Sequence, residues 1–180
     1  MCGIVGLLQL NGIITNGQAP TKRYHAALTA IKSRGPDAEG CWHDENIWLG
    51  HRRLSIVDPT SRGNQPMSCS RYVITFNGMI YNYRDIRQSL LNKGYKFHTD
   101  TDTEVLLAGW AEWPETLLPR LHGMFAFAIW DKIAKRLILV RDRFGKKPLY
   151  YRNWRGTLIF GSRFDAIEAL TETAHLSRDA

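Results

Sequence analysis

The chain has 180 residues, with 24 Lys and Arg against 17 Asp and Glu, giving a formal net charge of +7 at pH 7. That length builds one buried core, and an apolar share of 44% without repeats or low-complexity tracts excludes disordered and fibrous classes. No apolar run approaches the length that crosses a bilayer and no targeting segment is recognised, so a cytoplasmic protein without membrane association is expected.

The remaining composition is equally restrictive. Three cysteines (Cys2, Cys41, Cys69) are odd in number and widely spaced, which suits neither a disulfide framework nor a zinc site. The six histidines show no HxxxH-like spacing, so no metal is expected. Basic residues are scattered, with small clusters only at Arg52-Arg53 and Lys146-Lys147. The charge therefore reads as a solvated basic surface, or one facing an acidic neighbouring domain, and not as a nucleic-acid groove.

In chain order, Met1-Cys2-Gly3-Ile4-Val5-Gly6-Leu7-Leu8 reads as a buried strand running from edge to core. Removal of Met1 would leave Cys2 with a thiol and a free α-amine on one residue. An amine of pKa near 8 can take the thiol proton without a histidine. The alternative is a small buried hydrophobe, the usual fate of a free cysteine. Asn11-Gly12 makes a turn, and Pro20-Thr21 open a helix over residues 20–33 with Tyr24, Leu28 and Ile31 as its buried stripe. Arg34-Gly35-Pro36-Asp37 stops it. Short strands follow near Cys41-Trp42 and over residues 47–50.

His51-Arg52-Arg53-Leu54-Ser55-Ile56-Val57-Asp58-Pro59 places two arginines at a strand end before an Asp-Pro turn. A guanidinium there could hold a carboxylate bidentately, but on these residues alone a surface salt bridge is the better reading. Gln65-Pro66-Met67 is read as loop and residues 72–76 as a strand. Asn77-Gly78 falls between that strand and a helix starting at Asn82 and closed by Gly94, with Asn82 as N-cap. An Asn side chain and a Gly N–H turned into a pocket are what an oxyanion needs.

Residues 96–98 read as a short strand. Thr101 and Glu104 are placed as a capping box for a helix running to Pro114. The acidic residues at its start suit the macrodipole or a ligand ammonium, and locally the two readings are not separated. Leu117, Leu118 and Leu121 mark a further short helix. Residues 124–130 read as a central strand covered on both faces, and residues 137–142, 148–152 and 157–161 as an antiparallel meander. A helix is read over 164–170 and a polar tail beyond it. The fold class expected is α+β, two stacked sheets with helices outside.

Met-Cys-Gly-Ile-Val-Gly, Arg34-Gly35-Pro36-Asp37, the His51–Asp58 run, Gln65-Pro66-Met67, Asn77-Gly78-Met79-Ile80-Tyr81-Asn82, Thr101-Asp102-Thr103-Glu104, Gly123-Met124-Phe125-Ala126-Phe127 and the Arg141–Tyr151 run stand in this order. Together they resemble the class II glutamine amidotransferase domain at the N-terminus of glutamine-hydrolysing asparagine synthetases. The resemblance covers residues 2–163 and implies the N-terminal nucleophile hydrolase fold, a four-layer αββα sandwich of two mainly antiparallel sheets. It leaves residues 164–180 as a tail or linker toward a synthetase domain.

It further implies that Cys2 attacks the side-chain amide of L-glutamine, that the Cys2 α-amine, through a water, moves the protons, and that Asn77 and the Gly78 N–H meet the oxyanion. Arg53 matches the residue that takes the α-carboxylate, with backbone groups of Leu54, Ser55, Ile56 and Val57 assisting, and Asp102 the residue that takes the α-ammonium. No cofactor is implied in this domain; ATP and Mg belong on a synthetase partner domain or protein that accepts the ammonia. There are two departures. The residue after Asn-Gly, glutamate in most asparagine synthetases and a second contact to the ammonium, is Met79, which implies weaker glutamine binding. Ser162-Arg163-Phe164-Asp165 replaces a usual Ser-Glu and lysine, which bears on coupling to a synthetase. A catalytically idle, docking or regulatory module is the alternative function.

Overall fold

The computed structural model describes residues 1–10, 12, 14 and 22–171. Strands β1 (Gly3–Gln9), β2 (Ala38–His43), β3 (Ile47–Arg53), β8 (Tyr150–Trp154) and β9 (Thr157–Gly161) form a sheet in the order β2-β3-β1-β9-β8. Strands β4 (Met67–Ser68), β5 (Tyr72–Ile80), β6 (Gly123–Asp131) and β7 (Arg136–Arg141) form a second, ordered β4-β5-β6-β7. All pairings are antiparallel. Helices α1 (Lys22–Ala30) and α4 (Phe164–Leu170) cover the first sheet, and α2 (Tyr83–Leu91) and α3 (Asp102–Glu112) the second.

The period-2 alternation of the strands builds three apolar layers. On β6, Phe125, Phe127 and Ile129 face α3 and its Trp110, while Ala128 and Trp130 face the other sheet. On β3, Trp48 faces α1 and stacks on Tyr24 at 4.7 Å, while Ile47 and Leu49 meet Val73, Trp130 and Phe160 between the sheets. The layer sequence is helix, sheet, sheet, helix, as the resemblance implied. Tyr24, Leu28 and Ile31 are buried as the α1 pattern predicts. The proposed helix start at Pro20-Thr21, Asn11 of the turn and the tail from 172 lie outside the described residues.

Several local expectations are corrected. Strand β1 lies at the centre of its sheet, between β3 and β9. Asn77-Gly78 is not a junction: β5 continues to Ile80, because β6 offers register partners Ala126 and Phe125. Asn82 occupies the N-cap position of α2 without capping it; its amide instead donates to the Arg120 carbonyl and accepts from the His122 N–H. Residues 96–98 form no strand: they pair with neither sheet, and the His98 N–H goes to the Glu104 carboxylate. That use of Glu104 leaves only half the capping box, the Glu104 N–H to Thr101 Oγ1.

Residue Met67, read as loop, opens β4 and pairs with Ile74. The last three strands are not one meander. β7 ends the second sheet and β8-β9 extend the first. Alternation is identical in either sheet, so the pattern could not reveal the crossing. The packed body also reaches beyond residue 163: Ala166, Ile167 and Leu170 of α4 are buried against α1 and β9.

Candidate functional site

One end of the two sheets carries the site, and strand parity decides what reaches it. Cys2 precedes β1 on the same side as Ile4 and Gly6. Arg53 ends β3 in phase with Ile47, Leu49 and His51. Asn77 on β5 is in phase with Val73 and Thr75. All three therefore project between the sheets. They line one cavity together with Leu54, Ile56, Val57, Gly78, Met79 and Asp102. Ser55 does not line it; its N–H donates to Asp37 Oδ2 at 2.7 Å.

The β1–β3 register, with Gly3 opposite Arg52, brings Cys2 beside the end of β3. Its Sγ accepts from the Leu54 N–H at 3.4 Å, and its carbonyl accepts from Arg34 Nε at 3.0 Å. Burial pushes the Cys2 thiol up, against the Leu54 hydrogen bond and nearby positive charge. The group is thus a thiol at neutral pH, and its use as a nucleophile needs a base.

The two adjacent arginines divide the readings open to them. Arg52 pairs with Glu39 near the surface. Arg53 is 5% exposed and, among the described residues, has no carboxylate partner. Its Nη1 donates to the Thr60 carbonyl (2.6 Å) and Asn64 Oδ1 (3.0 Å), and its Nη2 to the carbonyls of Val57 and Asp58. Gly63 lets this loop close, because a Cβ there would collide with Nη2. The bidentate fork is accordingly not open in this structure. A buried cation without an anion has gathered carbonyl oxygens instead.

Asn77 is 1% exposed, and both its Nδ2 and Oδ1 lack hydrogen-bond partners. A buried amide with neither end satisfied is rare and points to a missing ligand. The backbone beside it shows the same. The N–H groups of Phe76 and Ile80 leave β5 on the side away from β6, to Gln65 Oε1 (2.7 Å) and Asp102 Oδ2 (3.0 Å). Gly78 lies midway with the same parity, so its N–H points the same way, into the cavity. A Cβ on Gly78 would meet the Met124 carbonyl and Phe125 Cα.

Two side chains outside the expected set fix this segment. Gln65 also donates to Thr103 Oγ1 at 3.1 Å, tying β5 to the first turn of α3. His51 Nε2 donates to the Phe76 carbonyl at 3.1 Å; burial lowers its pKa to about 4, so it is neutral. Both belong to motifs quoted above, but nothing in sequence spacing says that they hold the same residue, Phe76. Lys147, also unanticipated, lines the cavity too.

Asp102 begins α3, is 6% exposed, and among the described residues has no cationic partner. Burial raises its pKa to about 6 despite the Ile80 N–H and helix-start amides. The folded state therefore binds a proton more tightly than the unfolded chain, and Asp102 costs stability as pH rises from about 4 to 6, on the order of 3 kcal/mol at pH 7. Asp102→Asn keeps an acceptor for Ile80. It is expected to stabilise the ligand-free protein by up to about 3 kcal/mol at pH 7.5 and by only about 0.5 kcal/mol at pH 4. Urea unfolding at both pH values measures this; an equal difference at both contradicts it. His51, buried neutral, acts in the opposite sense and cancels in the comparison.

The site thus combines a thiol, an empty polar cradle, a cation without an anion and an anion without a cation. Comparison with known proteins gives the family. A family model described as glutamine amidotransferase domain matches residues 1–180. Asparagine synthetase [glutamine-hydrolyzing] 1 of Bacillus subtilis (strain 168) is 40% identical over 182 residues, covering 100% of this chain and 28% of that protein. Asparagine synthetase [glutamine-hydrolyzing] 3 of the same organism is 38% identical over 173 residues, covering 94% and 28%. Asparagine synthetase [glutamine-hydrolyzing] 3 of Arabidopsis thaliana is 38% identical over 171 residues, covering 93% and 28%.

The chain therefore spans just over a quarter of these relatives' length. The solved glutamine phosphoribosylpyrophosphate amidotransferase from B. subtilis, complexed with ADP and GMP, superposes with a TM-score of 0.75 at 19% identity, over 94% of this chain and 43% of that one. The likeness is one of fold, that of the N-terminal nucleophile hydrolases. No described helix is long and apolar enough to cross a membrane, and no described cluster of His, Cys, Asp or Glu could hold a metal ion. With the αββα layers, the site at their end and a match over its whole length, this chain belongs to the glutamine amidotransferase domain family, as a homologue of the glutaminase domain of asparagine synthetases.

Proposed function

We propose that this domain hydrolyses L-glutamine to glutamate and ammonia through a thioester on Cys2, after removal of Met1. The observation that carries this is charge complementarity: buried Arg53 and buried Asp102, each lacking an opposite charge among the described residues, line one cavity with Cys2 and the unsatisfied Asn77. A zwitterionic amino acid supplies what each lacks. Its α-carboxylate meets Arg53, taking over guanidinium donors now given to the carbonyls of residues 57–60, and the Leu54–57 backbone; its α-ammonium meets Asp102, and its side-chain amide extends to Cys2.

The Cys2 α-amine takes the thiol proton, through a water, as Sγ attacks the amide carbon. The oxygen that becomes negative is met by Asn77 Nδ2 and the Gly78 N–H. Collapse breaks the C–N bond, and the proton returns to the nitrogen, which leaves as ammonia. Water, giving its proton to the same amine, then cleaves the thioester to glutamate and regenerates the thiol. While Met1 is attached the Cys2 nitrogen is an amide and no base is present.

The ammonia acceptor is proposed to be a synthetase domain or protein, on which ATP and Mg would bind; this domain needs no cofactor of its own. A reducing, cytoplasmic setting suits the required free thiol. The test is glutamate release from glutamine by protein whose N-terminus is verified by mass as Cys2. A rate equal to that of Cys2→Ala would leave the idle docking module as the reading.

Met79 lines the cavity with Asp102. Met79→Glu is expected to tighten glutamine about tenfold, the lower end of a charge-assisted hydrogen bond of about 1.5–3 kcal/mol, because the new carboxylate also repels Asp102. Calorimetric titration in the Cys2→Ala background measures it; unchanged affinity would count against an ammonium subsite here.

A further inference from the structure

The loop after β7 delivers an ammonium to the chain terminus. The Asp142 carboxylate accepts the N–H groups of Phe144, Lys146, Lys147 and Phe125, and Arg141 Nε donates to the Lys147 carbonyl at 2.7 Å. With its main chain so held, the Lys147 side chain turns inward and is 3% exposed. Among the described residues it has no carboxylate within salt-bridge distance, and its Nζ meets only the Met1 thioether. A buried ammonium with so poor a partner is costly and needs a reason. The residue it touches is the one whose removal creates the amine on Cys2.

We propose that Lys147 keeps the α-amine of processed Cys2 unprotonated at neutral pH, so that it can act as the base for the thiol. Two ammonium groups in a poorly solvated pocket disfavour each other's charge, and the group of lower intrinsic pKa yields first. Burial and then Arg34 lower the Lys147 pKa too, against Cys2 and Asp142, but from an ordinary value near 10.4 against about 8 for an α-amine, so the α-amine yields first. The other charges facing this point are Arg34, which donates to the Cys2 carbonyl from the turn after α1, and Arg53 from the end of β3. Opposing them are Asp102 at the start of α3 and Asp142, whose carboxylate is engaged by its own loop. Tyr150 and Arg163 neighbour Arg34. The cations outnumber the anions at the amine. Lys147 is thus a positioning residue acting through that amine, and it assists the thiolate by the same charge.

The inference rests on the proposed use of the α-amine as base, and the test separates the two. In the pH profile of kcat/KM for glutamine, the acid limb reports the free enzyme's base together with Asp102, which burial holds at about 6 and which every Lys147 variant keeps, so the base is read as the shift between variants. Lys147→Met, uncharged and of similar shape, is expected to move that limb up by about one pH unit, and Lys147→Arg to leave it within a few tenths. An unmoved limb in Lys147→Met overturns the proposal while leaving glutamine hydrolysis intact. If the wild-type protein shows no Cys2-dependent glutamate release, both readings fail. Should Lys147→Met lose cooperative thermal unfolding, carbamylation of the wild-type N-terminal amine by cyanate, followed by mass across pH, reads the same quantity directly. Half-reaction below pH 7 supports the assignment; a value near 8 overturns it.

Discussion

Replacing Cys2 by alanine is expected to bring glutamate release down to the buffer rate, a loss on the order of 10⁶-fold, as when the nucleophile of a covalent hydrolase is removed. Cys2 is the cysteine that lines the cavity; Cys41 is exposed on β2, and Cys69 packs against the second sheet beside α3. Neither can substitute. Stability should change little, because the thiol is partly exposed and makes only two weak bonds, accepting from the Leu54 N–H and donating to the Leu54 carbonyl. Glutamine affinity should stay within a few-fold, since Arg53 and Asp102 hold the zwitterion without the sulfur. Alanine at position 2 still permits Met1 removal, so the variant differs from wild type in the thiol alone. Residual activity above a few per cent, with contaminating glutaminase excluded, would sink the thioester mechanism.

The second large effect is expected at Asn77. Asn77→Ala should lower kcat about 10²- to 10³-fold, the loss that follows removal of one oxyanion donor, with the dissociation constant for glutamine nearly unchanged. The split is diagnostic because the side chain makes no hydrogen bond within the protein. Removing an ordinary buried amide strands its partners and destabilises the fold; here there are none to strand, and urea unfolding should show little loss beyond that of a small cavity. Asn77→Asp should be worse for kcat, since a carboxylate repels the oxyanion. Equal falls in kcat and in binding would assign Asn77 to ground-state substrate contact.

These expectations show how unevenly the site was legible. Cys2, Arg53, Asn77, Gly78 and Asp102 were named from sequence motifs, and the structure brings them to one cavity. Their surroundings were not. That Arg53 rests on the carbonyls of Val57, Asp58 and Thr60 depends on how a loop closes over Gly63. That Gln65 and His51 hold Phe76 from two directions depends on the approach of β3 and β5 across the inter-sheet space. Lys147 lies 145 positions after Cys2 and no local spacing relates them. Asn77-Gly78 shows the limit of local preference: a dipeptide that favours turns lies inside a strand because β6 offers it partners.

What the sequence by itself determined is what lies along one element: the strand character of residues 47–50 and 72–76, the run over 124–130 covered on both faces, the stripe on α1, the helix start at Thr101, and the order of motifs that resembles the family. Each is set by residues a few positions apart, whose side chains share a face whatever lies opposite. The tertiary structure alone decided which sheet each strand joined, where β7 hands over to β8, and which buried charges were left without partners. Alternation has the same period in either sheet, and the solvation of a charge depends on every element packed around it.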